Sequence, residues 1–470
     1  MLRSRLLTTA AAIALGSLAQ AETPFFVTTT ADTGEGTLRA ALAQAAQTGA
    51  ASRVVILTQD DISVDTGLVY EGSDPLEIIG SGQTVRTAQD VTLLTASNGA
   101  DLTIAGLNFA GPGGYSIEAR ADSDGIAGKG IFVDVRDDQT GTVSLMLSDV
   151  TVSGVANHGI HVSDCSLADA CGGGATGDGE GSPASIRVHL VNVVVDDAGN
   201  GKFDADGVRV DERAEGGVQF FATGSTFTNV GADGVELDEG QAGDVVVTAI
   251  NSDFVDNGGY CNPDLLAGFM PDVDEAEFEE GQQDEAGIPG PIMGSPDDGC
   301  FERAVDLYDD GSVEAYEFAI DVDDGFDIDE SGDGSLYAVL IGGAITGNLD
   351  EGNDYDESGA GGIDLTVIGT RASGNADDGF KNSEEDGGDV VSTVVGATST
   401  DNGGKGFVFE EEGDGDVRVD VTGTTTGNND DSDDTGIEAV QEDDGTGSLS
   451  VTASDITDGI DVEGVDLSEM

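Results

Sequence analysis

From residue 51 onward the chain alternates apolar and polar positions in short runs, rich in valine and isoleucine and bounded by Gly, Asp or Asn. Val208 to Val210, Val245 to Ile250, Leu336 to Ile341, Val390 to Val395 and Val417 to Val421 are examples. Alternation of period two over such lengths predicts half-buried strands. The runs also recur. A glycine precedes a strand at Gly207, Gly234, Gly325, Gly352, Gly379 and Gly406, and the steps 207→234, 325→352, 352→379 and 379→406 are each 27 residues. Gly436 and Gly459 continue the series at looser spacings of 30 and 23, and Asn348, Asn375 and Asn402 keep the 27-residue step.

Two or three short strands per repeat, without a helical period, describe one coil of a solenoid. Leucine-rich repeats have a similar length, but their leucine pattern is absent. Tandem immunoglobulin-like modules need a period of about 100 residues. Calcium-binding β-rolls need tandem glycine–aspartate nonapeptides, which the chain does not contain. The expected fold is therefore all-β, a right-handed parallel β-helix of about 27 residues per coil, with coils about 4.8 Å apart. Its inward positions are expected to be the apolar ones.

The N-terminal part departs from this pattern. Asp32, Gly34, Gly36, Thr37, Leu38, Arg39 and Leu42 lie in a segment where Thr37 can N-cap a helix with Leu38, Ala41, Leu42 and Ala45 on one face. This segment, Val27 to Leu42, resembles the capping segment of secreted bacterial right-handed β-helix repeat proteins of the pectate-lyase-like superfamily. The resemblance implies a strand and a short helix closing the first coil. Residues 1–21 read as a signal peptide: Arg3 and Arg5, a short apolar stretch, then an Ala19-Gln20-Ala21 cleavage site. The expected organisation is thus signal peptide 1–21, cap 22–50 and β-helix 51–470. Residues 261–317 interrupt it, being rich in acids and proline and lacking the repeat, so they are expected to be a long, disordered insertion.

Charge narrows the partners. The chain has 17 Lys and Arg against 93 Asp and Glu, a formal net charge of −76. Cleavage after Ala21 would remove two basic residues and no acids. Such a charge excludes nucleic acid and needs salt or bound cations to screen it. No run of about 18 apolar residues follows the leader, so export to the periplasm or the extracellular space is expected, without a transmembrane segment. In that setting Cys165, Cys171, Cys261 and Cys300 are expected to be disulfides, paired in sequence order. A metal site of Cys165, Cys171, His158 and His161 is the alternative. It is disfavoured because His158 and His161 would face opposite ways on a strand.

Four and five residues after the repeated glycine stands a pair of acids: Asp211 and Glu212, Asp238 and Glu239, Asp329 and Glu330, Asp356 and Glu357, Glu410 and Glu411. In register, these stack into two columns with carboxylates roughly 5 Å apart. At that spacing two unit charges repel by about 1 kcal/mol in water and about 3–4 at an effective dielectric of 20. Calcium bridging answers this repulsion with the oxygen ligands that calcium prefers. Halophilic adaptation answers it with salt, whose screening length is about 3 Å at 1 M. Asp431, Asp433, Thr435, Gly436 and Glu442 match EF-hand spacing, but without the flanking helices the match is coincidental.

Enzymes of the resembled superfamily imply calcium-binding acids beside a basic residue that abstracts a proton. Lys202, Asp206 and Arg209 are the candidates here, with Arg209 on the same strand face as Asp211; the plainer reading makes the basic residues counter-ions of the acids. The superfamily's hydrolase motifs are incomplete and out of order. His189, in an apolar strand, reads as structural. The sequence favours a non-catalytic, cation-binding surface or matrix protein that interacts with glycans or cell-surface polymers. The alternative is a calcium-dependent polysaccharide lyase or glycoside hydrolase.

Overall fold

The computed structural model describes residues 23–120, 127–164, 181–270, 276–290, 298–308, 310–429, 435–442 and 445–470. The expected signal peptide 1–21, Cys165, Cys171, Asp431 and Asp433 lie outside them. The chain winds as a right-handed parallel β-helix. Among the described residues, one side is a sheet of 12 strands stacked in chain order from Leu68–Tyr70 to Ile460–Glu463. The other two sides form a single sheet of 22 strands. A coil enters that sheet either as two strands, such as Val218–Thr223 and Thr226–Thr228, or as one bent strand, such as Ala184–Ala198, that pairs with both.

Each position meets its equivalent one coil away: Val208 pairs with Val235, Val235 with Phe326, and Phe326 with Asn353. Val208, Val210, Val218 and Phe220 therefore fill the interior, fully buried. Aromatic rings continue the columns, with Phe227 on Phe254 at 5.2 Å and Phe380 on Phe407 at 4.7 Å, while Phe254 also stacks across the interior on Phe326 of the other sheet at 4.9 Å. The repeated glycines allow this spacing. A Cβ on Gly207, Gly234 or Gly325 would collide with the carbonyl oxygen of the glycine in the following coil.

The expected asparagines form a buried amide ladder longer than the sequence series. Nδ2 of Asn257 donates to Oδ1 of Asn348 at 3.0 Å, Asn348 to Asn375 at 3.0 Å, Asn375 to Asn402 at 3.1 Å and Asn402 to Asn429 at 2.8 Å. An amide carries both donor and acceptor, so it satisfies its own copy. The cap also has its expected form: Thr37 accepts from the Ala40 N–H, and the helix Leu38–Ala45 buries Leu38, Ala41, Leu42 and Ala45.

The insertion differs from the expected disordered loop. A disulfide joins Cys261 and Cys300, with Cα atoms 5.4 Å apart. Ala276–Glu277, Val305–Leu307 and Val313–Tyr316 form a small antiparallel sheet. Its own cluster of Ile288, Val313 and Tyr316 draws in Phe278 and Phe318. These apolar residues are too widely spaced among acids to show a period, yet enough to fold locally around the disulfide. Stacking resumes at Phe326, opposite Val235.

One strained position stands out. Gly332 and Gly359 occupy equivalent places in successive coils with φ of 127° and 140°, and the next coil places Asp386 there with φ of 127°. A non-glycine residue in this region costs about 1–3 kcal/mol. Asp386→Gly is expected to raise the thermal midpoint in a melt at fixed salt; an unchanged or lower midpoint would show that the aspartate's contacts outweigh its strain.

Candidate functional site

On the 12-stranded side, alternation sends Val208, Val210 and Glu212 inward and Arg209 and Asp211 outward. The paired acids therefore do not share a face. Glu212, Glu239, Glu330, Glu357 and Glu411 are at most 1% exposed and lie on the inner side of the strand ends. Asp211, Asp238, Asp329, Asp356 and Glu410 face outward beside Arg209, Glu236, Asp327, Asp354 and Val408. Counting parity from the buried valines would have revealed this split.

A third outward column stands immediately before five of the repeated glycines: Asp206, Asp233, Asp324, Glu351 and Asp378. Their carboxylates accept backbone N–H groups from the following coil, as in Asp233 N–H to Asp206 at 3.2 Å and Glu351 N–H to Asp324 at 2.7 Å. This column was readable at the 27-residue step, but only Asp206 was singled out from sequence.

At the N-terminal end of the face, basic groups hold the acids together. The Arg209 guanidinium touches Asp204, Asp206, Asp211, Glu236 and Asp238. Arg213 adds a 2.6 Å bond to Asp238. Asp211 also bonds Nε2 of His161 at 2.7 Å, while Lys129 meets the other ring nitrogen. Burial opposes ionisation of Asp211, but Arg209 and His161 hold it well below the usual range. His158 and His161 do not face opposite ways: their rings are 4.6 Å apart. His158 stands in the turn before the strand Ile160–Ser163, where alternation does not apply. Its Nδ1 accepts the Asp206 N–H at 3.0 Å, and burial, then His161 and Lys129, keep it neutral.

Of the proposed catalytic residues, Asp206 and Arg209 share this network, and Lys202 lies in the adjacent turn as one of the charges acting on His158. His189 packs on the outer surface against Phe221, at 5.9 Å.

Beyond Arg209 the face opens into a cleft of 660 Å³, whose lining includes Glu302 from the insertion and Asp321 just after it. Thirteen carboxylates line it against two basic groups, Arg209 and Lys381. Burial and then neighbouring carboxylates push Asp329 up to about 7, Asp356 to about 8 and Asp350 to about 10. Asp323, Asp324 and Asp327 are also raised well above the usual carboxylate range, for the same reasons. Several triads bring carboxylate oxygens within 4.8 Å of one another. Where Glu236 takes part with Asp204 and Asp206, or with Asp238 and Asp329, the Arg209 guanidinium already supplies the cation. Two further triads, Asp324–Glu351–Asp354 and Asp350–Glu351–Asp377, share Glu351. Lys381 reaches the first through Asp354 at 2.6 Å and Glu351 at 3.6 Å.

Fold and site together define a parallel β-helix bearing an acidic cleft along one side. No protein-family model and no curated protein matches the chain. Solved structures similar to it include a mutant of a periplasmic alginate epimerase, with 10% identity, covering 90% of this chain and 78% of that one at a TM-score of 0.40. Another is the A-module of a mannuronan C-5 epimerase from Azotobacter vinelandii, with 11% identity, covering 96% and 99% at a TM-score of 0.41. The assignment of the fold rests on the strand register itself.

Removing the cation from a buried cluster leaves its acids uncompensated. Arg209→Met is expected to destabilise the protein by about 3–5 kcal/mol at pH 8, measured by denaturant unfolding. The loss should shrink towards pH 5, as the abandoned carboxyls take up protons. A loss equal at both pH values would mean that Arg209 acts through packing alone.

Proposed function

We propose that this protein is an exported, cation-binding β-helix that engages acidic polysaccharide along its acidic cleft. The observation that carries this reading is the pair of carboxylate triads sharing Glu351. Calcium takes oxygen ligands at 2.3–2.6 Å, so ligands on opposite sides of one ion lie about 4.6–5.2 Å apart, the scale of these triads. A bound divalent ion would answer the repulsion that, after burial, raises Asp324, Asp350 and Glu351. It would also leave coordination positions for the carboxylates or hydroxyls of a polymer. A chain this acidic repels a polyanion unless a cation stands between them. The cleft follows stacked coils and is lined by polar groups, which suits an extended polar ligand better than a compact apolar one.

A second reading, a calcium-dependent polysaccharide lyase or glycoside hydrolase, draws on the buried His158. A neutral imidazole beside cationic groups suits proton transfer, and Arg209 links its network to the cleft wall. His158→Gln would abolish product in a glycan-cleavage screen under this reading and leave calcium binding intact.

Calorimetric titration of the metal-stripped protein with calcium, at constant ionic strength, tests the first reading. Saturable binding is expected, lost in Glu351→Gln, together with calcium-dependent retention on an immobilised polyuronate. Calcium effects no greater than those of sodium chloride at equal ionic strength would reject it.

A further inference from the structure

The inward glutamates form a continuous column. Glu212 pairs in register with Glu239, then Glu330, Glu357, Glu384, Glu411 and finally Gln441. Asp164 continues it at the other end, in side-chain contact with Glu212. All of the carboxyls are at most 1% exposed. Each glutamate holds its own turn with one side of the carboxyl. Gly216 N–H donates to Glu212 at 3.1 Å, Gly361 to Glu357 at 3.1 Å, Gly388 to Glu384 at 2.7 Å and Gly415 to Glu411 at 2.8 Å.

The other side has no such donor. Glu239 Oε1, Glu357 Oε2 and Glu384 Oε2 are buried without a hydrogen bond from any N–H or O–H of the described residues, and Glu330 has only the Gly334 N–H bearing on its carboxyl. What faces them is the carboxyl of the next coil: Glu239 meets Glu212, Glu357 meets Glu330, and Glu384 meets Glu357 and Glu411. Two ionised carboxyls cannot bond each other. A carboxylic acid and a carboxylate can, through one proton. At the C-terminal end, the Gln441 amide donates to Glu411 and supplies by covalent structure what a proton supplies elsewhere. The charged groups bearing on the column from neighbouring elements are Asp211, acting on Asp164, and Asp244, beside Glu330; both are acids.

We propose that this column is a proton ladder, in which shared protons join successive coils, so that the fold holds protons at neutral pH and is loosened by alkali. The shifts agree in direction. Burial and neighbouring carboxyls raise Asp164 to about 6, Glu212, Glu357 and Glu384 to about 8 and Glu239 to about 10. A carboxyl raised in the folded state stabilises the fold fully below its ordinary value. That contribution is lost as pH rises through the folded value. The loss is therefore expected to begin above the ordinary carboxyl value, near pH 4.5, and to be complete only by about pH 10, the reverse of the acid lability of a salt-bridged carboxylate.

The full chain, freed of metal with chelator and held at constant ionic strength, provides the test. Infrared spectra at pH 7 should contain a protonated-carboxyl band that weakens in Glu357→Gln. The wild-type thermal midpoint should fall by roughly 10 °C from pH 7 to 9.5, and less steeply in Glu357→Gln, whose amide replaces a shared proton. Asp329→Asn, on the outer face, should leave the slope as it is. A flattened slope in Asp329→Asn but not in Glu357→Gln would place the protons in the cleft and overturn the ladder. So would a wild-type spectrum without the band, a result that holds even if Glu357→Gln fails to fold.

Discussion

In a solenoid with constant coil length, every side chain is set against its own equivalent about 4.8 Å away. The constraint is self-complementarity: a column survives only if its residue tolerates a copy of itself. Phenylalanine does so by stacking, asparagine by pairing donor with acceptor, and glycine by leaving room for the neighbouring carbonyl. A carboxylate does not. With 93 acids in the chain, the structure is in large part a set of answers to that failure.

Three answers appear on the 12-stranded side, and they segregate by position. Near the N-terminal end, Arg209 and Arg213 stand among the outer acids as permanent cations, held in place by several carboxylates at once. Farther along, Lys381 is the remaining cation of the cleft, and carboxylates around Glu351 exceed what it can neutralise. Inside, the glutamates meet one another and backbone N–H groups, with no cation among the charges acting on them. Position thus decides the chemistry: the open face admits ions from solvent, whereas the closed interior admits little beyond a proton.

Much of the fold was legible because it depends on repetition. The 27-residue glycine step, the asparagine series and the Thr37 helix signal each appear in the structure where the sequence places them. The site was less legible, for reasons of direction rather than spacing. Adjacent acids such as Asp238 and Glu239 look like a pair in sequence, but a strand turns them to opposite sides. His158 and His161 suggest opposite faces only if both lie on the strand, and His158 belongs to the turn. The acids before five of the repeated glycines were periodic too, yet they stand in the turn before the strand, outside its alternation. Glu302 joins the cleft lining from the insertion, and nothing in that irregular acidic sequence signals it.

The same constraint bears on what the formal charge of −76 means. Summed over isolated residues, it describes a chain that should repel itself apart. In the folded state, buried carboxyls with raised proton affinity carry less charge than their number implies, and the acids clasped by Arg209 present little field to solvent. The charge that remains effective lies chiefly on exposed acids of the outer surface, such as Asp60, Glu279, Glu314, Asp401 and Asp455. An excess of acid that appears uniform along the sequence divides, once coiled, into exposed carboxylates that keep their charge and buried ones that protons and fixed cations answer.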